Sequence, residues 1–170
     1  MKREIKLGQR LVGDGYPSYV AAHAGADAVK FQKRTPEICT PPDQQKQMRE
    51  TPWGYITYLD YRYKVEFDLA SYREIDRTCR DLGIDWMVSV WDEPSVDFME
   101  QFDTPAYKVP SASLTDLSLL KYTRKTGKPV IISTGMSTMD EIKRGVDAVG
   151  TDNLVIMPVS YTHLTLPTKA

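Results

Sequence analysis

The sequence predicts an α/β fold in which short parallel strands alternate with helices. Three observations predict it. Runs rich in strand formers recur at residues 26–32, 86–91, 106–110, 129–134 and 154–157, helical patterns with their own start and stop residues lie between them, and several strands end in polar residues. Alternation of this kind builds a parallel sheet with helices outside it, because each parallel connection needs a crossover, usually a helix.

The first element stands apart from that pattern. EIKLGQRLVGDG places two short apolar runs around Gly8 and Gln9 and reads as a β-hairpin. The first strand proper lies in GADAVKFQKR, residues 25–34. Side chains alternate along a strand, so Val29 and Phe31 face one way while Lys30 and Gln32 face the other. If the apolar pair packs under helices, the polar pair meets either solvent or an enclosed polar cavity. Asp68 is placed to cap a helix that runs to Leu82 and stops at Gly83. A short helix is expected over residues 94–102, and a longer one over 116–126 before Gly127. Thr138-Met139-Asp140-Glu141 has capping-box spacing and opens a helix closed by Gly150.

Composition narrows the function classes. The 170 residues suit one domain with a real core. With 22 basic and 23 acidic residues, charge gives no reason to expect nucleic acid or an anionic membrane as partner. No apolar run approaches the roughly 18 residues of a spanning helix, and the polar start MKREIKLGQR is not that of a signal peptide. Cys39 and Cys79 form no C-x-x-C pair, so a cytoplasmic chain with reduced thiols is expected.

Ligands in parallel α/β folds gather at the carboxyl ends of strands. Lys30, Gln32, Lys108, Ser111 and Ser133 stand at or near such ends and could converge on one anion. Plainer roles compete. A strand-end lysine is commonly solvated, Ser111 and Ser133 could cap the turns that follow them, and Asp92 reads first as a helix N-cap just ahead of Pro94.

GADAVKFQKR, AYKVPSASLTD and GKPVIISTGMSTMDEI, in this order and spacing, resemble the sialic acid (N-acetylneuraminate) synthase family over residues 25–157. The resemblance implies a (β/α)8 barrel, here partial and preceded by the hairpin. It also implies a C–C bond-forming transferase that condenses phosphoenolpyruvate with an N-acylated hexosamine such as N-acetylmannosamine, in polysaccharide biosynthesis. By the same resemblance, Lys30 and Lys108 supply positive charge to phosphoenolpyruvate while Gln32, Ser111 and Ser133 supply hydrogen bonds. The family uses a divalent metal, Mn or Mg, and forms homodimers. The run Trp53 to Tyr63 could then shape the sugar side, although a packing face on a loop and helix is the plainer reading.

The sequence also departs from the family pattern. Between SYV and the strand at 26–32 only about five residues intervene, far short of the dozen or more that a parallel crossover needs. The first βα unit, with the family's catalytic Glu and Asn-His pair, is therefore expected to be largely missing, and no catalytic residue is assigned. The family's metal-binding histidines lie beyond the sixth strand, and His23 and His163 match neither motif. Residues 1–158 are thus expected to form a partial barrel with an open sheet, and 159–170 a non-family tail, disordered or artefactual. As it stands the chain is expected to be inactive. Rival readings are another phosphoenolpyruvate-dependent aldol synthase, a non-catalytic barrel fragment, and a Schiff-base aldolase using Lys108.

Overall fold

The computed structural model describes residues 4–7, 10–13 and 28–158. His23, His163, the predicted crossover region and the tail at 159–170 lie outside them. The chain divides into two compact units, Met1–Pro105 and Ala106–Ala170.

The first unit opens with the predicted hairpin, β1 (Glu4–Leu7) antiparallel to β2 (Arg10–Gly13). Strand β3 (Ala28–Lys33) follows, then two single-turn helices, α1 (Pro36–Cys39) and α2 (Pro42–Gln45). A second hairpin joins β4 (Met48–Thr51) to β5 (Gly54–Thr57) and leads into α3 (Tyr58–Val65). This hairpin was not foreseen; the aromatic run expected on a loop and helix in fact begins in its turn and ends on α3. Helix α4 (Leu69–Leu82) crosses back to β6 (Asp85–Val90), which runs parallel to β3 with Lys30 opposite Met87 and Gln32 opposite Ser89. Helix α5 (Glu93–Met99) closes the unit.

Local chemistry explains these boundaries. The Asp68 carboxylate accepts the Ser71 N–H at 2.8 Å and starts α4, while Gly83 ends it in the left-handed conformation at φ 64°, where a side chain would be strained. The unit's core is aromatic. Phe31 meets Phe67 and Trp86 edge-on at 6.2 and 6.1 Å, and Tyr72 of α4 stacks on Trp86. Tyr72 is fully buried, and its hydroxyl satisfies itself by donating to the Gln32 carbonyl at 2.7 Å.

The second unit contains β7 (Tyr107–Val109), a 3₁₀ turn (Ser111–Ser113), α6 (Leu117–Arg124), β8 (Val130–Ser133), α7 (Met139–Val149) and β9 (Leu154–Met157). Its three strands are parallel, in the order β7-β8-β9. Asp116 caps α6, and Thr138 and Glu141 form the full capping box of α7. Gly145 lets α7 approach Leu114 closely, since a Cβ there would meet Leu114 Cδ1 at 3.0 Å. Among the described residues β3 forms its ladder with β6 and β9 its ladder with β8. Neither of these outer strands gains a second partner, so the sheet is open.

Candidate functional site

The alternation read from GADAVKFQKR holds. Val29 and Phe31 are buried, Phe31 only 2 % exposed, while Lys30 is half-buried and Gln32 exposed on the opposite face. Burial holds the Lys30 ammonium below the ordinary lysine range, because the charged form loses hydration. The β3–β6 register adds Ser89 to the same face beside Gln32, and Ser89 is itself buried. Nothing in VSVWD marked that serine in advance; only the strand register sets it opposite Gln32.

In the second unit Lys108 stands half-buried between Tyr107 and Val109, both fully buried. It lies opposite Ile131, and Ser133 is two residues further along β8, so Lys108 and Ser133 share one face of that ladder. Ser133 is only 6 % exposed. Ser111 opens the 3₁₀ turn, where its carbonyl accepts the Leu114 N–H at 3.2 Å. The helices that follow are capped by Asp116 and Thr138, so neither Ser111 nor Ser133 serves as their N-cap.

Asp92 does cap α5, accepting Ser95 N at 2.8 Å and Ser95 Oγ at 2.7 Å. It does more than that. Its second oxygen accepts Thr35 N at 2.6 Å and Cys39 Sγ at 3.1 Å, and Thr35 Oγ1 donates to the first at 2.9 Å. The carboxylate thereby ties the segment after β3 to the end of β6. Burial works against its charge, but the hydrogen bonds from Ser95, Thr35 and Cys39 prevail and hold it below the usual carboxylate range. Burial, with the same carboxylate beside it, pushes the Cys39 thiol up to about 12, so this cysteine is not a nucleophile near neutral pH.

Around this knot lies a charged shell that the sequence did not announce. Arg34 pairs with Glu66, and Lys33 Nζ donates to the Phe67 carbonyl at 3.1 Å while lying 4.5 Å from the Phe98 ring centre. Burial raises Glu66, although Arg34 opposes the shift. The segment after β8 carries its own irregularity: Met136 adopts a left-handed φ of 62° and is largely exposed. Among the described residues no group of three or more His, Cys, Asp or Glu is gathered that could hold a metal ion. No step is assigned to the expected divalent ion. No helix of the described chain is long and apolar enough to cross a membrane.

Comparison with known proteins gives a consistent picture. The NeuB family model matches residues 19–165. The human N-acetylneuraminate-9-phosphate synthase is 34 % identical over 131 residues, covering 74 % of this chain and 35 % of the relative. The Campylobacter jejuni N,N'-diacetyllegionaminic acid synthase is 28 % identical, covering 86 % of this chain and 44 % of the relative. The Helicobacter pylori pseudaminic acid synthase is 26 % identical, covering 72 % of this chain and 37 % of the relative. The chain thus spans less than half the length of these curated relatives. A crystal structure of the N-acetylneuraminic acid (sialic acid) synthetase from Leptospira borgpetersenii superposes with a TM-score of 0.68 at 18 % identity, covering 93 % of this chain and 59 % of the other. That likeness concerns the fold alone: α/β, a partial (β/α)8 barrel.

Proposed function

The chain belongs to the NeuB family, and from that premise we propose that its βα units carry the phosphoenolpyruvate side of a nonulosonic acid synthase site. The reaction is condensation of phosphoenolpyruvate with an N-acylated hexosamine such as N-acetylmannosamine. The observation that carries this reading is the half-buried Lys30 beside Gln32 on one face of β3, backed by the buried Val29 and Phe31 on the other. A desolvated ammonium next to neutral donors is a poor solvent-facing surface and a good anion seat. Lys30 and Lys108 balance the phosphate and carboxylate charges, while Gln32, Ser111 and Ser133, with Ser89 beside Gln32, orient the oxygens.

The chemistry asked of these groups is positioning and charge stabilisation. The enol carbon of phosphoenolpyruvate forms a C–C bond to the sugar aldehyde carbon, whose oxygen takes up a proton and becomes a hydroxyl. Water adds at the neighbouring carbon, and phosphate leaves with its bridging oxygen by C–O cleavage to give the 2-oxo acid. Fixed cations and donors favour the step because charge moves onto oxygens they already face. No covalent lysine intermediate is needed.

By themselves these 170 residues are proposed to bind phosphoenolpyruvate without completing the condensation, since the family's Glu and Asn-His pair have no counterpart in the motifs matched. Calorimetric titration should show weak binding that Lys108→Ala abolishes; equal affinity in the two proteins would remove Lys108 from the site. Borohydride trapping with pyruvate should leave Lys108 unmodified, which separates this chemistry from a Schiff-base aldolase. Phosphate release with N-acetylmannosamine or its 6-phosphate and added manganese should be undetectable. Metal-dependent turnover that disappears in Lys30→Ala would overturn the judgement of inactivity.

A further inference from the structure

The synthase reading leaves one cationic cluster of the first unit unused. Arg62 of α3 lies 5.7 Å from the Tyr58 ring centre, and Arg49 of β4 lies over the same ring at 3.7 Å. The charge of Arg62 also acts on Glu66 and Cys39, the groups that Arg34 acts on. Arg34 has Glu66 as its ion-pair partner, and Asp92 is already occupied by Thr35, Cys39 and Ser95. Neither Arg62 nor Arg49 has an ion-pair partner among the described residues.

The same shell holds polar atoms with nothing to bond. Arg62 Nε is buried without an acceptor among the described residues, as is Trp91 Nε1, and Thr40 Oγ1 has no partner either. These belong to one neighbourhood. Arg34 lies 5.5 Å from the Trp91 ring centre, the Trp91 carbonyl accepts Cys39 Sγ at 3.8 Å, and Thr40 follows Cys39 in the chain. Thr40 is 1 % exposed. Buried donors without acceptors are costly and are normally matched by protein, water or ligand. Two guanidinium groups without an ion-pair partner, together with unmatched N–H groups, call for a partner that is both negative and rich in acceptor oxygens.

We propose that Arg62, with Arg49 beside it and Trp91 Nε1 and Thr40 Oγ1 as neutral donors, forms a seat for a phosphate-class oxyanion. A tetrahedral oxyanion suits donors that come from several elements, and guanidinium groups bind it by directed, charge-assisted hydrogen bonds. The group could arrive as inorganic phosphate or as the phosphate ester of a sugar acceptor. The seat does not depend on the synthase reading; only its use for a sugar phosphate does.

The test titrates the full chain with inorganic phosphate, followed by calorimetry and tryptophan fluorescence, in wild type and in Lys30→Ala to silence the proposed phosphoenolpyruvate site. The seat should still bind phosphate in Lys30→Ala. Arg62→Met should weaken it at least tenfold, Arg49→Gln by a few fold, and Arg62→Lys to an intermediate degree. Without phosphate, Arg62→Met should melt at the wild-type temperature or above, because a buried unmatched N–H is gone, while the phosphate-dependent rise in melting temperature disappears. Failure of wild type to bind phosphate, loss of binding in Lys30→Ala alone, or unchanged binding in Arg62→Met would each overturn the proposal. So would a crystal structure with a single water bridging Arg62 Nε and Trp91 Nε1 in the presence of phosphate. N-acetylmannosamine 6-phosphate binding more tightly than N-acetylmannosamine, with the gain lost in Arg62→Met, assigns the seat to the acceptor. Binding of inorganic phosphate alone leaves the seat standing with the free ion as ligand. The synthase reading is then judged separately by the phosphoenolpyruvate titration.

Discussion

Strands β3 and β9 are both outer strands, yet they differ in almost every other respect. In β3, AVKFQK alternates, its apolar face is sealed by Phe67, Tyr72 and Trp86, and its polar face carries Lys30 and Gln32. In β9, LVIM is apolar on both faces, but Val155, Ile156 and Met157 remain 50, 46 and 47 % exposed. A parallel strand without alternation is written for burial on both sides. The contrast separates a strand whose burial is met inside its own unit from one whose apolar sequence asks for cover that the described residues do not give.

Four experiments would break or sharpen that contrast. The largest effect is expected from Phe31→Ala, which should cost about 3–5 kcal/mol in denaturant unfolding as it leaves a cavity between Phe67 and Trp86. Ile156→Ala should cost about 0.5 kcal/mol, the scale of a surface substitution. Equal costs at the two positions would mean that β9 is covered in solution after all.

Next comes the polar closure at the end of β6. Asp92→Ala should lose about 3 kcal/mol, because it removes a cap and leaves buried donors unmatched. The pH dependence has a definite sign. Asp92 is held below its ordinary range when folded, so its contribution is present above the unfolded carboxylate value of 3.8 and is lost as pH falls through the depressed one. Unfolding of wild type and Asp92→Asn should therefore converge in acid; a gap that stays constant down to the acid limit would assign the effect to packing.

A smaller effect is expected where α4 ends above the β3–β6 pair. Gly83→Ala should cost about 1 kcal/mol, since a Cβ is strained at positive φ although open space surrounds it. No loss would show that the C-cap relaxes without disturbing Tyr72. The smallest change in stability, within about 0.5 kcal/mol, is expected for Ile156→Lys, but its signature lies elsewhere. An exposed, uncharged apolar edge favours association, and a lysine on it opposes edge pairing. Sedimentation velocity should show less self-association in this variant, and unchanged association would acquit β9.

Much of the architecture could be read from short stretches. The hairpin at 4–13, the strand at 154–157, the Asp68 and Thr138 caps and the Gly83 stop all depend on neighbours within four residues or so, and all appear as expected. The β4–β5 hairpin escaped because RETPWGYIT has no clean alternation, and only the pairing of Thr51 with Gly54 reveals the turn. The polar face of β3 was visible from Lys30 and Gln32, whereas Ser89 was not, since a serine joins that face only once β6 pairs in register.

The sequence by itself determined which residues of β3 share a face, where α4 and α7 start and where α4 stops, because those depend on backbone periodicity and on hydrogen bonds to the nearest turn. The tertiary structure alone decided that Asp92 would serve Thr35 and Cys39, more than fifty residues earlier, and that Arg34 would meet Glu66 across thirty-two. A carboxylate accepts from any donor within reach, and which donors come within reach is set by strand register and helix crossing, terms that no local stretch of sequence contains.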